Sequence, residues 1–216
     1  MMSTQEAENE VDEVDPTLPW WRSALNLVVV ALAIAVLSAG VGYVVGNNRA
    51  LPDPNAVDTG FLQDMRYHHE QAVQISLLYI NTLGSDPDLR TIAREIIINQ
   101  GVEIGRIIQL LRDFGKPEAN ETDLAMGWMN DPIALDRMPG LASDADLARL
   151  RRSTGSDADT TFVTLMTAHH QGGIHMAEYA QTNAAVSEVR LMAEQMVGGQ
   201  REEISELSQL LAASTS

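Results

Sequence analysis

Residues 23–45, SALNLVVVALAIAVLSAGVGYVV, run for 23 positions without a charge. An apolar stretch of that length crosses a bilayer with some tilt. It is longer than the apolar core of an ordinary cleaved signal peptide, the rival reading, and the segment before it is acidic rather than basic. The pattern predicts one transmembrane anchor over 23–46 behind an acidic tail, 1–22. Trp20, Trp21 and Tyr43 fall where interfacial aromatics are expected. Small residues recur every fourth position, as Ala31, Ala35, Ala39 and as Ser38, Gly42, Gly46, which marks faces for pairing into a homodimer. Arg22 and Arg49 flank the span almost evenly, so charge alone leaves its orientation open.

Beyond the anchor the apolar period changes. Residues 47–57, NNRALPDPNAV, carry two prolines and no period, and read as a linker. Four amphipathic helical patterns follow, over 58–82, 87–113, 159–183 and 187–212. Asp58 or Thr59 is placed to cap the first, and Pro87 opens the second after the GSDP break. Gly115 and Pro117 end the second. Residues 114–158 form a connecting strap that is irregular at first. It ends in a short helix near 143–152, capped by Ser143.

The patterns repeat. The first and third align at an offset of 101: Phe61 with Phe162, Met65 with Met166, His68 with His169, His69 with His170. The second and fourth align at an offset of 100, including Arg90 with Arg190, Gln100 with Gln200, Glu103 with Glu203 and Leu111 with Leu211. This is a duplicated helical hairpin, 58–113 and 159–212. Two such hairpins bury their apolar faces best against each other, so 58–213 is expected to be an all-α, ferritin-like four-helix bundle with approximate two-fold symmetry. Helices of this length are about 38 Å long.

All five histidines lie in the first and third patterns. Phe61, Met65, His68, Ala72, Ile75 and Tyr79 form the core stripe of the first, and Phe162, Met166, His169, Gly173, Met176 and Ala180 that of the third. His69 and His170 lie about 100° round, towards a neighbouring helix. Met65 precedes its two histidines by three and four residues, so it shares a face with both, as Met166 does with its own pair. Burying several imidazoles is costly unless each finds a partner, and a metal ion satisfies many at once. Imidazole suits copper, zinc, iron and nickel; thioether favours copper, above all Cu(I). Met65, His68, His69, Met166, His169, His170 and Met176 are the candidate ligands, for copper ahead of zinc or iron. The competing reading makes the histidines hydrogen-bonded core residues of an interaction or scaffold module.

Other positions change the picture less. His175 lies about 180° round from Met166 and points away from the stripe. Gly172 and Gly173 cost about 1 kcal/mol each in mid-helix relative to Ala, and mark a close approach or space for a ligand. Glu103 and Glu203 could add carboxylates, yet Arg106, Arg201 and Glu202 beside them point to a solvated face. Met126, Met129 and Met138 of the strap could add soft ligands or simply pack.

Composition narrows the classes. Thirty acids against 14 bases give a formal net charge of −16, which repels nucleic acid. There is no cysteine, so a transition-metal site must use His, Met, carboxylate or backbone groups. Glu-x-x-His, the di-iron signature of such bundles, is absent, and no other catalytic motif appears; the chain is not expected to be an enzyme.

The segments FLQDMRYHHEQAVQIS, WMNDP, RMPGLASDADLARLRRSTGSDADTTFVTLMTAHHQGGIHMAEYA and VRLMAEQMVGGQREEISELSQLL resemble the bacterial "domain of unknown function 305" family over roughly residues 56–213. The resemblance implies a ferritin-like bundle outside the cytoplasm, secreted or membrane-anchored, with the N-terminus inside. Some members are similar to periplasmic copper proteins that use Met and His. Copper sequestration or homeostasis is therefore the expected role. Leu141 after Gly140 departs from the commoner methionine-rich turn and removes one soft ligand.

Overall fold

A computed structural model describes residues 19–49 and 52–214. Most of the acidic tail, and residues 50 and 51 of the linker, fall outside the described residues. The described residues form two compact units, divided between positions 50 and 51. In the first, a 3-10 turn at Trp20–Arg22 precedes α1, Ala24–Arg49. Within α1, Ala24–Val44 is long and apolar enough to cross a membrane, with a mean hydropathy of 2.5. Apolar side chains surround this helix on every side, the pattern of a membrane span or of a signal sequence.

The second unit holds α2 (Ala56–Ile80), α3 (Pro87–Asp113), α4 (Asp144–Arg152), α5 (Gly155–Asn183) and α6 (Ser187–Ser214). The strap adds one feature that periodicity does not show. Leu124–Ala125 pairs antiparallel with Ile133–Ala134, Leu124 facing Ala134. Helix starts follow their caps. Asn55, not Asp58 or Thr59, caps α2; Asp58 is the third residue of the helix and completes a capping box with Asn55. Asp86 caps α3 before Pro87, and Ser143 with Asp146 caps α4. α5 starts at Gly155, about a turn before the periodic pattern becomes visible.

The hairpins α2–α3 and α5–α6 meet through α2 and α5, and α3 meets α6 more loosely to close the ring. α2 and α5 run antiparallel. Tyr79, near the end of α2, stacks on Phe162 near the start of α5, with ring centroids 4.1 Å apart and planes 6° from parallel. Two buried carboxylates lock this arrangement. Asp58 accepts the backbone N–H groups of Ala185 and Val186, both at 3.0 Å, at the entry to α6. Its repeat partner Asp159 accepts the Asp86 N–H at 2.9 Å, at the entry to α3, and the Tyr79 hydroxyl at 2.6 Å. Each hairpin thus supplies a carboxylate to the other's turn.

The core divides along the bundle axis. One cluster contains Phe61, Leu62, Met65, Ile107, Leu111, Met176 and Met192. The other contains Ile75, Tyr79, Ile92, Ile96, Leu150, Phe162 and Met166. Because α2 and α5 are antiparallel, Met65 and Met166 fall on opposite sides of the histidines, and Met176 joins Met65.

Asp58 is completely buried and also accepts the Asn55 N–H at 2.8 Å. Asp58→Ala strands three N–H groups and should cost about 3 kcal/mol in urea unfolding. A loss below about 0.5 kcal/mol, the range of an ordinary surface substitution, would contradict the interlock.

Candidate metal centre

His68, His69, His169 and His170 are all 1% exposed or less. They fill the level between the two apolar clusters. The His68 and His169 rings lie face to face across α2 and α5, centroids 3.8 Å apart and tilted by 36°. His170 approaches His169 edge-on at 6.2 Å. His69 turns to its own hairpin mate α3, and His170 to α6.

Each ring uses Nε2 for a partner within the protein. His68 Nε2 donates to the Pro139 carbonyl at 3.1 Å, and His169 Nε2 donates to the His68 carbonyl at 2.9 Å. His69 Nε2 meets Glu103 Oε2 at 2.7 Å, and His170 Nε2 meets Glu203 Oε2 at 2.6 Å. The Pro139 and His68 carbonyls can only accept, so Nε2 carries the hydrogen in His68 and His169, and a carboxylate acceptor assigns it to Nε2 in His69 and His170 as well. The four Nδ1 atoms are buried without a hydrogen-bond partner. A neutral ring in this tautomer presents its lone pair at Nδ1.

Burial keeps the central pair neutral. It holds His68 far below the ordinary imidazole range, at about 3; His69 and His170 push the same way and the Pro139 carbonyl opposes. Burial likewise holds His169 well below 6.5, reinforced by His68, His170 and His69 and opposed by the hydrogen bond to the His68 carbonyl. Neutral imidazole is the form that binds metal.

Met65, Met166 and Met176 are fully buried one or two turns from the histidines on their helices. Met126, Met138, Met192 and Met196 share the cluster of Met65 and Met176, so that end is rich in thioether, while the other has Met166 among aliphatic and aromatic side chains. His175 is exposed on α5. Glu103 and Glu203 correct the reading of a solvated face: their side chains are only 24% and 18% exposed, and each is committed to a histidine. Protein atoms fill the space beside Gly172 and Gly173. A Cβ at Gly172 would stand 1.8 Å from the Pro139 carbonyl oxygen, and one at Gly173 would stand 2.5 Å from Gln200 Oε1. Among the described residues, no three His, Asp or Glu side chains form a ready-made cluster for one ion. Any site here therefore draws on thioethers or on a small ring movement. The donor set of buried Nδ1 lone pairs and thioethers fits a soft ion of low coordination number.

Several residues that hold the site gave no signal in the helical pattern. Asp64, 1% exposed, accepts from Asn120 Nδ2, the Met126 N–H and Trp128 Nε1, and so pins the strap. Gln71 exchanges two hydrogen bonds with the backbone of Ala142. Gly140, at φ +82°, lies against the Ala168 carbonyl, which lets the strap bring Pro139 onto His68. Asp64, a carboxylate beside Met65 of the core stripe, is buried with that stripe.

Fold and site together define a helical bundle of duplicated hairpins with a buried layer of histidine. The profile of the DUF305 family, a domain of unknown function, matches residues 58–211, and the chain belongs to that family. A DUF305 protein from Streptomyces coelicolor has a solved structure that is 32% identical, covers 74% of this chain and 93% of its own, and superposes with a TM-score of 0.67. A DUF305 fragment from Deinococcus radiodurans is 27% identical, over 75% and 99% of the two chains, with a TM-score of 0.65. CopM in its Cu(II)-bound form shares the fold at 24% identity, over 72% and 96%, with a TM-score of 0.57. No curated protein matches the chain.

Two outcomes follow from this geometry. Unfolded histidine binds a proton near pH 6.5, whereas buried His68 takes one only near pH 3. Between those values the unfolded chain holds more protons, so stability falls as pH falls. Each ring contributes about 1.4 kcal/mol per pH unit over its window, the same sense holding for His169. Urea midpoints should therefore drop steeply from pH 7 to 5, and a flat profile would contradict the neutral pair. Gly172→Ala gains about 1 kcal/mol of helix propensity but drives the strap off α5, for a net loss of about 2 kcal/mol. Faster proteolysis within 114–143 would report the displaced strap, and an unchanged cleavage rate would deny it.

Proposed function

We propose that this protein binds copper outside the cytoplasm, tethered by residues 23–46, and acts in sequestration or homeostasis rather than catalysis. The observation that carries the reading is the set of four buried Nδ1 atoms without partners, flanked by buried thioethers. Leaving four such groups unpaired in a core is costly, and a metal ion is a partner that relieves the cost. Met65, His68, His69, Met166, His169, His170 and Met176 supply the ligands. Glu103 and Glu203 orient His69 and His170 through Nε2 and raise the donor strength of the rings, as carboxylates behind metal-bound histidines do. Methionine selects Cu(I) over zinc or iron. CopM, which shares the fold, has been solved with Cu(I), Cu(II) and silver bound, and this supports copper as the first metal to test. The uncharged span and the family resemblance support an anchored bundle with the N-terminus in the cytoplasm.

The full chain in detergent micelles, titrated with Cu(I) against a competing chelator, should take up the ion. Replacing His68, His69, His169 and His170 by Ala should abolish uptake, and His175→Ala should leave it intact. Met65→Leu with Met176→Leu preserves core volume and should weaken uptake at least tenfold with little change in stability. Uptake unaffected by the four histidine substitutions would refute the reading. Lost stability with no metal uptake in the parent chain would favour the scaffold reading.

A further inference from the structure

The outward face of α3 is not that of an ordinary solvated helix. Ile98 and Val102, one turn apart, are 62% and 61% exposed. Gly101 and Gly105 are exposed beside them, and all four positions fall within about 100° of one another, on the side away from the core. A glycine inside a helix is destabilising relative to alanine, and no neighbour requires one here. A Cβ at either position would meet no atom within 4 Å. The repeat supplies a comparison. The matching positions of α6 are Gly198, Arg201, Glu202 and Ser205, exposed as those of α3 are. They carry charge and no large apolar side chain, so the hairpin fold itself does not call for the α3 pattern.

The pattern is complementary to itself when two copies lie antiparallel. With a two-fold axis crossing α3 beside Val102, that side chain enters the notch between Gly101 and Gly105 of the second copy. Ile98 then falls between Gly105 and Gln109 of the second copy, and Arg94 between Gln109 and Asp113. Glu95 comes beside Arg112. Each contact occurs twice, as a two-fold interface requires. Arg94, Glu95, Arg112 and Asp113 are all exposed. Arg112 bonds Glu118 through Nε, which leaves its terminal N–H groups for Glu95. An antiparallel pair thus sets opposite charges together at both ends. A parallel pair would set Arg94 against Arg94 and Asp113 against Asp113.

We infer that the outward face of α3 is a dimer interface whose partner is a second copy of this chain, packed antiparallel along α3. From Arg94 to Asp113 the contact runs about 30 Å. The glycine notches let the helix axes approach closely, and Ile98 and Val102 leave water in both copies at once. The interface uses no histidine and no residue of α1, so it stands apart from the copper reading and from pairing of the anchor.

The chain has no cysteine, so one introduced thiol reports one position. Val102→Cys in the full chain in detergent micelles should form a disulfide-linked dimer under mild oxidation. Glu202→Cys, at the matching exposed position of α6, should link at least tenfold more slowly. Gly101→Leu with Gly105→Leu, added to Val102→Cys, fills the notch and should slow linking at least tenfold. Helix content should be unchanged, because leucine is the better helix former, so the loss is not one of folding. Arg94→Asp should slow linking severalfold, and adding Asp113→Arg should restore it. Equal linking at 102 and 202 would mean random collision and overturn the inference. Dimers that link at neither position would overturn it too, by placing the pairing elsewhere. So would a chain that stays single, which leaves the α3 face to a different protein.

Discussion

Four imidazoles buried at one level between two apolar clusters set the terms for the whole bundle. Each must find an acceptor for its Nε2 proton without reaching water, and the fold arranges four different answers. Two come from carboxylates at matching positions on α3 and α6. One comes from the carbonyl of His68 itself, and the last from Pro139, carried in by the strap. Interdigitated apolar side chains set how α2, α3, α5 and α6 pack, and directional bonds select among the heights that packing allows. The hydrogen bonds of the histidine layer, with Asp58 and Asp159 towards the two ends, fix one height.

The same layer explains why the molecule combines strong and weak packing. α2 and α5 carry the stacked rings of His68 and His169 and must approach closely. α3 and α6 present longer polar side chains, Gln100, Glu103, Gln200 and Glu203, and stand apart. Chemistry is thereby sorted by direction. The Nε2 atoms of His69 and His170 turn to carboxylates within their own hairpins, and those of His68 and His169 turn to backbone carbonyls. The four Nδ1 atoms stay buried between Met65 and Met176 on one side and Met166 on the other. A tautomer fixed by a peptide carbonyl or a carboxylate leaves the opposite nitrogen free to ligate, so the supporting hydrogen bonds decide what the interior can hold.

Much of this was legible in the chain. The uncharged run gave α1, the 3.6-residue period gave four long helices, and the offsets of 101 and 100 gave the pairing of hairpins. The stripe placed His68 and His169 inside because period and burial are coupled in any bundle. Contacts between positions far apart were not legible. Asp58 looked like a helix cap, because capping is local; its bonds to Ala185 and Val186 span 127 and 128 residues. Glu103 and Glu203 looked solvated because their neighbours are charged, yet Arg201 and Glu202 turn outwards, Arg106 is engaged by Glu188 on α6, and the glutamates turn to the histidines. The path of the strap was invisible to periodicity, since its contacts depend on single residues such as Asp64, Gln71 and Gly140.

The strap is also a single ribbon laid across two halves that are nearly the same. Positions 71 and 172 are equivalent in the repeat, and both touch it. Gln71 grips the ribbon with its side chain, and Gly172 accepts it by having none. A symmetric pair of hairpins cannot bind an asymmetric segment equally on both sides, so one copy presents a hand and the other a notch. Two identical hairpins would offer two hands or two notches; the glutamine at 71 and the glycine at 172 are where the repeat departs from symmetry to seat one ribbon.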